Sequence, residues 1–202
     1  MSRLNNELIF CSGNKHKAAE MQLLMPAWLE VKSMREVGVL EEIVENGSTF
    51  AENALIKARY VSQKTGLSVF SDDSGLVVDS LNGAPGIFSA RYAGPNATSV
   101  DNVHKLLSEL KGESNRKAHF ICVIALIYNK KEILFEGRVD GLIKQEIAGE
   151  GGFGYDPVFV PVGYNQTFAE LDAAVKSKIS HRALAVRKMV EWLEMNGAEK
   201  SE

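Results

Sequence analysis

Residues 117–139, KAHFICVIALIYNKKEILFEGRV, decide how the rest of the chain is read. Two runs rich in β-branched and aromatic residues, 117–128 and 132–139, flank the polar turn Asn129-Lys130-Lys131, which predicts a long antiparallel hairpin. Upstream the pattern changes. Residues 8–11 read as a short buried strand, followed by the turn Ser12-Gly13-Asn14 and a helix from 15 to about 25 with Ala18, Met21 and Met25 at helical spacing. Residues 28–31 suggest a second strand, and 41–47 an acidic loop. Ser48 is expected to cap a helix that carries Phe50, Ala54, Ala58 and Val61 and stops at Gly66. Residues 67–70 predict a strand that ends in Ser71-Asp72-Asp73-Ser74-Gly75, with 76–78 as a further short strand. Ser99 is expected to cap a helix through Leu110. Beyond the hairpin, 158–160 predict a short strand and 180–195 one last helix. Early alternation of strand and helix with late antiparallel pairing predicts an α/β fold, a mixed sheet with flanking helices in two lobes.

A length of 202 residues suffices for one sizeable domain, 1–202, with a buried core. Lys and Arg number 23 against 26 Asp and Glu, a formal charge of −3. The surface therefore lacks the basic face that a nucleic-acid polymer requires, although a local positive pocket for one phosphorylated molecule remains compatible. The longest apolar run, 120–128, is far short of the roughly 20 residues that cross a membrane. Residues 1–30 show no basic-then-apolar signal pattern, so the expected location is the cytoplasm, with no membrane partner. Cys11 and Cys122 sit in apolar runs with no CxxC or Cys/His cluster nearby, which reads as two buried thiols and no structural zinc.

Four segments combine residues suited to chemistry. Ser12-Gly13-Asn14-Lys15-His16-Lys17 joins strand to helix, where free N–H groups and the positive helix end converge; Ser12, Asn14 and Lys17 add donors and charge, which suits phosphate. An ordinary N-cap with a solvated lysine explains it too, and the Walker pattern is absent. Asp72-Asp73-Ser74-Gly75 sets two carboxylates side by side at an expected strand end. They repel unless a metal or buried donors keep both ionised, and Mg²⁺ favours carboxylates plus phosphates; an Asp-rich turn is the plain alternative. Glu45 and Glu52 are nearby acidic candidates, Glu52 on an expected solvated helix face. In residues 149–157, GEGGFGYDP, the glycines satisfy GxGxxG but lead into a strand, so this is no dinucleotide fingerprint. What remains is a loop that offers Phe153 and Tyr155 either to a flat ligand or to the core. Residues 176–182, KSKISHR, gather donors for an anion or a carbonyl oxygen, or form a solvated charge run capped by Ser180. His104 and His119 read as structural or solvated, and no Ser/His/Asp or Cys/His arrangement is persuasive.

Taken in order with residues 49–54 (TFAENA) and 83–92 (GAPGIFSARY), these segments resemble the Ham1/RdgB family of inosine/xanthosine triphosphate pyrophosphatases over roughly residues 8–193. The resemblance implies an elongated mixed sheet in two lobes around a central cleft, usually as a homodimer. It implies a Mg²⁺-dependent hydrolase that converts ITP, dITP and XTP to the monophosphate and pyrophosphate, clearing deaminated purines from the nucleotide pool. Asp73 is then the proton acceptor and a metal-associated carboxylate, with Glu45 near the same metal. Nucleotide contacts are implied for Ser12, Gly13, Asn14, Lys15, His16, Lys17, Ser74, Phe153, Gly154, Tyr155, Asp156, Lys176, His181 and Arg182. The sequence departs from the family pattern at Val175, where many members carry Glu, and at Lys15-His16, where small residues are common.

On that reading Lys17 and Lys176 screen the triphosphate together with Mg²⁺, and Phe153 stacks on the base. Donors from His181, Arg182 or backbone N–H groups pair with the 6-carbonyl of hypoxanthine or xanthine and oppose the amino group of adenine. Two other classes stay open from sequence: a nucleotide sensor without turnover, and a different phosphohydrolase, either Maf-type or a monophosphatase.

Overall fold

The computed structural model describes residues 7–196, without the Lys15 side chain. Six strands form one mixed sheet in the order β2-β1-β3-β4-β5-β6. They are β1 (Glu7–Phe10), β2 (Glu30–Ser33), β3 (Val69–Val78), β4 (Lys117–Tyr128), β5 (Lys131–Ile143) and β6 (Phe159–Pro161). β1 pairs in parallel with β2 and β3, and β5 pairs antiparallel with β6. The helices are α1 (Lys15–Leu24), α2 (Phe50–Thr65), α3 (Ser99–Glu109), α4 (Ala173–Ile179) and α5 (His181–Asn196). The expected mixed α/β architecture is the one formed. Among the described residues no helix is long and apolar enough to cross a membrane.

The chain divides into two compact units, and β3, β4 and β5 each contribute residues to both. The first unit holds the chain through Asp73, Cys122–Gly137 and the residues from Arg182 onward. Strand alternation builds two apolar clusters here. Leu8 and Phe10 of β1, Phe70 of β3 and Ile124 and Leu126 of β4 pack with Met21 of α1 and Ala185, Met189 and Leu193 of α5. Their neighbours Ile9, Val69, Ala125 and Ile127 pack instead with Ala54, Ala58 and Val61 of α2. Both faces of these strands are covered, so they read as continuous apolar runs. The fully buried Ala54 and Ala58 leave room for α2 to lie close to the sheet, and the Ser71 hydroxyl donates to the Ala54 carbonyl at 2.5 Å.

The second unit, Ser74–Ile121 and Arg138–His181, has its own core. Leu76, Val78, Val103, Leu106 and Leu110 pack around an aromatic group of Phe120, Phe159 and Phe168, with ring centroids 4.7 to 6.1 Å apart. The Arg116 guanidinium donates to the carbonyls of Leu110, Ile143 and Lys144. Residues 83–92 serve this core too: the Ser89 hydroxyl accepts from the Leu76 N–H at 2.9 Å, and its carbonyl accepts from the Tyr155 hydroxyl at 3.0 Å.

Several boundaries differ from expectation for identifiable reasons. The hairpin turn is two residues, Asn129 and Lys130, both in the left-handed region at φ 50° and 64°, so Lys131 already belongs to β5. The cap of α2 is Thr49, not Ser48, and the cap of α3 is Thr98, not Ser99. In each hydroxyl pair the residue three before an acid wins. Thr49 accepts from the Glu52 N–H at 3.1 Å, and Thr98 forms a full capping box with Asp101. The last helix forms where expected, as α5, and a further short helix, α4, precedes it, set off by the extended backbone of Ser180. Thr49→Ala is expected to lower stability by about 1 kcal/mol, read as a lower urea midpoint at unchanged slope; an unmoved midpoint would transfer the capping role to Ser48.

Candidate active site

The largest departure from the sequence reading organises the site. Residues 71–75 are not a turn at a strand end but the middle of β3, which runs unbroken from Val69 to Val78. Alternation along a strand sends successive side chains to opposite faces. Asp72 therefore shares a face with Phe70, and Asp73 shares one with Val69 and Ser71. The two adjacent carboxylates need no common cation to hold them together, because each has its own partners.

Asp72 is fully buried. Its Oδ2 lies 3.1 Å from the Lys17 ammonium and 3.3 Å from Nη2 of Arg182, and the Cys122 thiol approaches at 3.9 Å. The other amine of Arg182 pairs with Glu20 on α1. Burial alone would raise the Asp72 pKa, but Lys17 and Arg182 outweigh it and hold the carboxyl well below its ordinary range. The Cys122 thiol, desolvated and beside that carboxylate, is pushed up to about 12 and is not a nucleophile at neutral pH.

Asp73 is 8% exposed and faces α2. Nδ2 of Asn53 donates to its Oδ2 at 3.2 Å, while Oδ1 of Asn53 accepts from the Gly47 N–H at 2.8 Å. One turn further along α2, the buried Lys57 pairs with Glu45. Burial raises the Asp73 pKa and the charge of Glu45 adds to the rise; Lys57 and Lys17 oppose it. The two neighbouring aspartates are thus driven in opposite directions.

At the turn after β1, the Asn14 side chain caps α1 by accepting from the His16 and Lys17 N–H groups at 3.0 and 3.1 Å, and Ser12 accepts from the Asn14 N–H at 3.2 Å. Gly13 and His16 are exposed; the expected contact of Lys15 lies outside the described residues. Ser12 and Asn14 hydroxyl and amide oxygens are thereby engaged within the turn, and Lys17 is the member aimed at the acidic pair.

In the second unit the glycine-rich segment is packed. Gly149 and Gly151 lie against the Ala169 backbone, where a Cβ would collide, and the Gly151 N–H donates to the Ala169 carbonyl at 3.1 Å. The buried Asp156 accepts from the Phe153 N–H at 2.7 Å and pairs with Lys176 at 2.7 Å. The Lys176 ammonium stands 5.4 Å from the Phe153 ring centre and 5.8 Å from that of Phe168. Tyr155 anchors the loop, buried with its hydroxyl on Ser89. Gly154 is left-handed at φ 63°, and Ser74 is half-buried on β3. His181 stacks on Phe120, centroids 4.7 Å apart at 10°. The Arg182 guanidinium is 1% exposed and bound to Glu20 and Asp72.

Sequence reading missed Asn53, Lys57 and Glu20. Asn53 and Lys57 adjoin the Ala54, Ala58, Val61 stripe of α2, so a charged residue within a buried helical face was the available signal. Glu20 carried none, since its partner is distant in sequence.

Asp73 and Glu45 are the carboxylates that suit a divalent metal. Among the described residues no group of three or more His, Cys, Asp and Glu side chains forms a ready cage. Mg²⁺ does not require one: it keeps several waters and takes one or two carboxylates together with substrate phosphates, which this pair fits.

The Ham1 family model matches residues 8–192. The chain is 45% identical over 186 residues to the dITP/XTP pyrophosphatase of Flavobacterium psychrophilum, covering 92% of this chain and 98% of that protein. It is 47% identical to the dITP/XTP pyrophosphatase of Caldanaerobacter subterraneus, covering 92% and 95%. The structure of a HAM1 protein from Coxiella burnetii superimposes with a TM-score of 0.87 at 42% identity, covering 94% of this chain and 98% of that one. Likeness that spans the chain in sequence and in backbone alike carries a single conclusion: this chain belongs to the Ham1 family.

Proposed function

We propose that this chain hydrolyses the triphosphates of deaminated purines, dITP, XTP and ITP, to the monophosphate and pyrophosphate, with Asp73 as the proton acceptor and a divalent cation as cofactor. The relatives' activity supports the substrate class. The opposed environments of Asp72 and Asp73 carry the chemistry: a carboxylate whose pKa is raised, held by Asn53 and set among Lys57 and Lys17, suits the base that takes a proton from attacking water.

The charge balance supports the cation. In the first unit Lys17, Lys57 and Arg182 face four carboxylates, Glu20, Glu45, Asp72 and Asp73. A triphosphate that carries about four negative charges is not drawn to such a cluster without further positive charge. Asp73 and Glu45 would hold Mg²⁺, which when bound would supply positive charge to screen the phosphates and the leaving pyrophosphate. Lys17 and Lys57 bind the phosphate oxygens and orient the chain for attack at the α-phosphorus. Ser12, Gly13, Asn14, His16 and Ser74 are proposed at the sugar-phosphate end.

Phe153 stacks on the purine, Lys176 and Asp156 hold the loop, and His181 with nearby backbone N–H groups donates to the 6-carbonyl. Adenine presents a donor there, and a donor-to-donor clash costs roughly 1–3 kcal/mol per group. Gly152, left-handed at φ 73°, leaves no space for a Cβ beside the Asp156 carboxylate. Gly152→Ala is therefore expected to raise KM for XTP about tenfold with a smaller change in kcat; an equal KM would separate the loop from binding. Two buried free thiols suit a reducing compartment, so the cytoplasm is proposed as the location, and the family resemblance supports a homodimer.

The deciding experiment is pyrophosphate release from dITP, XTP, ITP, ATP and GTP with and without MgCl₂. Release from the first three, dependent on the cation and absent in Asp73→Asn, is expected. Equal rates on ATP, or orthophosphate as the first product, would overturn the reading.

A further inference from the structure

Residues 83–92, GAPGIFSARY, stand out in the sequence, yet none of them is assigned a part in the proposed hydrolysis. The hydrogen bonds of the buried Ser89 give the segment one. Its hydroxyl accepts from the Leu76 N–H of β3 at 2.9 Å and donates to the Gly86 carbonyl at 2.6 Å, and its carbonyl accepts from the Tyr155 hydroxyl at 3.0 Å. α3 holds the residues that follow. The amide of buried Asn102 donates to the Ala90 carbonyl at 3.2 Å and accepts from the Ala93 N–H at 2.7 Å, and the Lys105 ammonium donates to the Tyr92 carbonyl at 2.8 Å. Ser89 is thus fixed to β3 and backed by α3, and it presents one acceptor to the glycine-rich loop. Four of the six residues 149–154 are glycine, so the loop's own side chains do little to fix its backbone. Tyr155 stands two residues after Phe153, and burial pushes its pKa above the usual phenol range, so its hydroxyl stays a donor.

We propose that Ser89 is a positioning residue for the purine: braced by β3 and α3, it holds the Tyr155 hydroxyl and so sets where Phe153 meets the base. Ser89 acts through Tyr155 and the loop, not by touching the nucleotide. A hydrogen bond weakens steeply with distance and angle, so a tie to a rigid acceptor fixes the ring that makes it and the backbone beside that ring. This role rests on the proposed stacking of Phe153 and deepens it by naming what holds the base end of the site.

The test uses Tyr155→Phe and Ser89→Ala in the full-length protein, with Phe153→Ala as the reference. Ser89→Ala strands the buried Leu76 N–H and risks the fold, whereas Tyr155→Phe removes one oxygen and keeps the ring in its core. Rates on XTP with MgCl₂ give KM and kcat, and competition by inorganic tripolyphosphate, which has no base, gives its inhibition constant. Tyr155→Phe is expected to raise KM for XTP about three- to tenfold, with the smaller change in kcat, and to leave the tripolyphosphate constant within about twofold of the wild type. Ser89→Ala should raise KM likewise, and the double variant no further than the larger single one. In the Phe153→Ala background Tyr155→Phe should add nothing, since residues that act through one another are not additive. A merely structural role would lower the urea midpoint and leave both constants of the folded protein in place. An unmoved KM in Tyr155→Phe or in folded Ser89→Ala, a tripolyphosphate constant that rises in step with KM, or a full further loss without Phe153 would each overturn the inference. Wild-type KM in Phe153→Ala, or no hydrolysis of XTP by the wild type, would defeat the stacking or the proposed function itself, and the positioning role with it.

Discussion

Asp73→Asn is expected to lower kcat for dITP and XTP by about 10²- to 10⁴-fold, the range associated with loss of a general base. The amide keeps the size of the carboxylate and still accepts from Asn53, which donates at 3.2 Å. The fold should therefore hold, with a thermal midpoint within about 2 °C of the wild type, as for substitutions that open no cavity and strand no buried charge. On the proposed function the substitution removes both the proton acceptor and one of two carboxylates suited to the cation, so kcat should fall and the Mg²⁺ requirement rise. Lys57→Ala, by contrast, removes a charge proposed to screen phosphate and should show mainly in KM. Stopped-assay pyrophosphate measurements at saturating nucleotide check the first effect. A variant that retains more than about a tenth of kcat would move the base elsewhere. A variant that loses turnover but binds XTP at wild-type affinity would show that binding survives without the base, which separates the enzyme from a sensor.

Much of this arrangement was legible in the chain, and the illegible part has a physical origin. Apolar periodicity located β1, α2, the hairpin and the C-terminal helix, because burial imposes period 2 or 3.6 on any sequence that forms a core. The same logic misplaced residues 71–75. Asp, Ser and Gly are turn formers by local propensity, and only the sheet on both sides turns them into strand. The consequence went beyond a boundary. Read as a turn, Asp72 and Asp73 share one environment and require one cation; as strand residues they face different helices and acquire different roles. The caps of α2 and α3 erred for a smaller reason, since each begins at two adjacent hydroxyl residues and the acid three positions on selects between them. The partners of Tyr155 and Arg182, Ser89 and Glu20 with Asp72, lie far along the chain. Nothing within a few residues of either announces that partner.

Asp72→Ala is expected to be the most destabilising single change in the first unit, by about 3–5 kcal/mol. Its carboxylate is the shared anion of Lys17 and Arg182, and Arg182 is 1% exposed, so removal takes a counter-charge from a guanidinium in a dry environment. Asp72→Asn should cost nearly as much, because the volume is kept and only the charge is lost; a far milder Asn variant would assign the effect to packing. The pH dependence has a definite sign. Lys17 and Arg182 hold the folded carboxyl below its ordinary value of 3.8, although burial pulls the other way. A depressed folded pKa contributes stability that is complete above the unfolded value and is lost as pH falls through the folded one. The gap between wild type and Asp72→Asn should therefore stay constant from about pH 5 to 8 and narrow only below about pH 4. Urea denaturation across that range measures it. A gap that closes by about pH 6, or never exceeds about 1 kcal/mol, would mean that Asp72 does not neutralise the buried cations. With the expected result, two identical side chains adjacent in sequence separate cleanly: one substitution silences turnover in a stable protein, and the other unsettles the protein itself, as strand alternation requires.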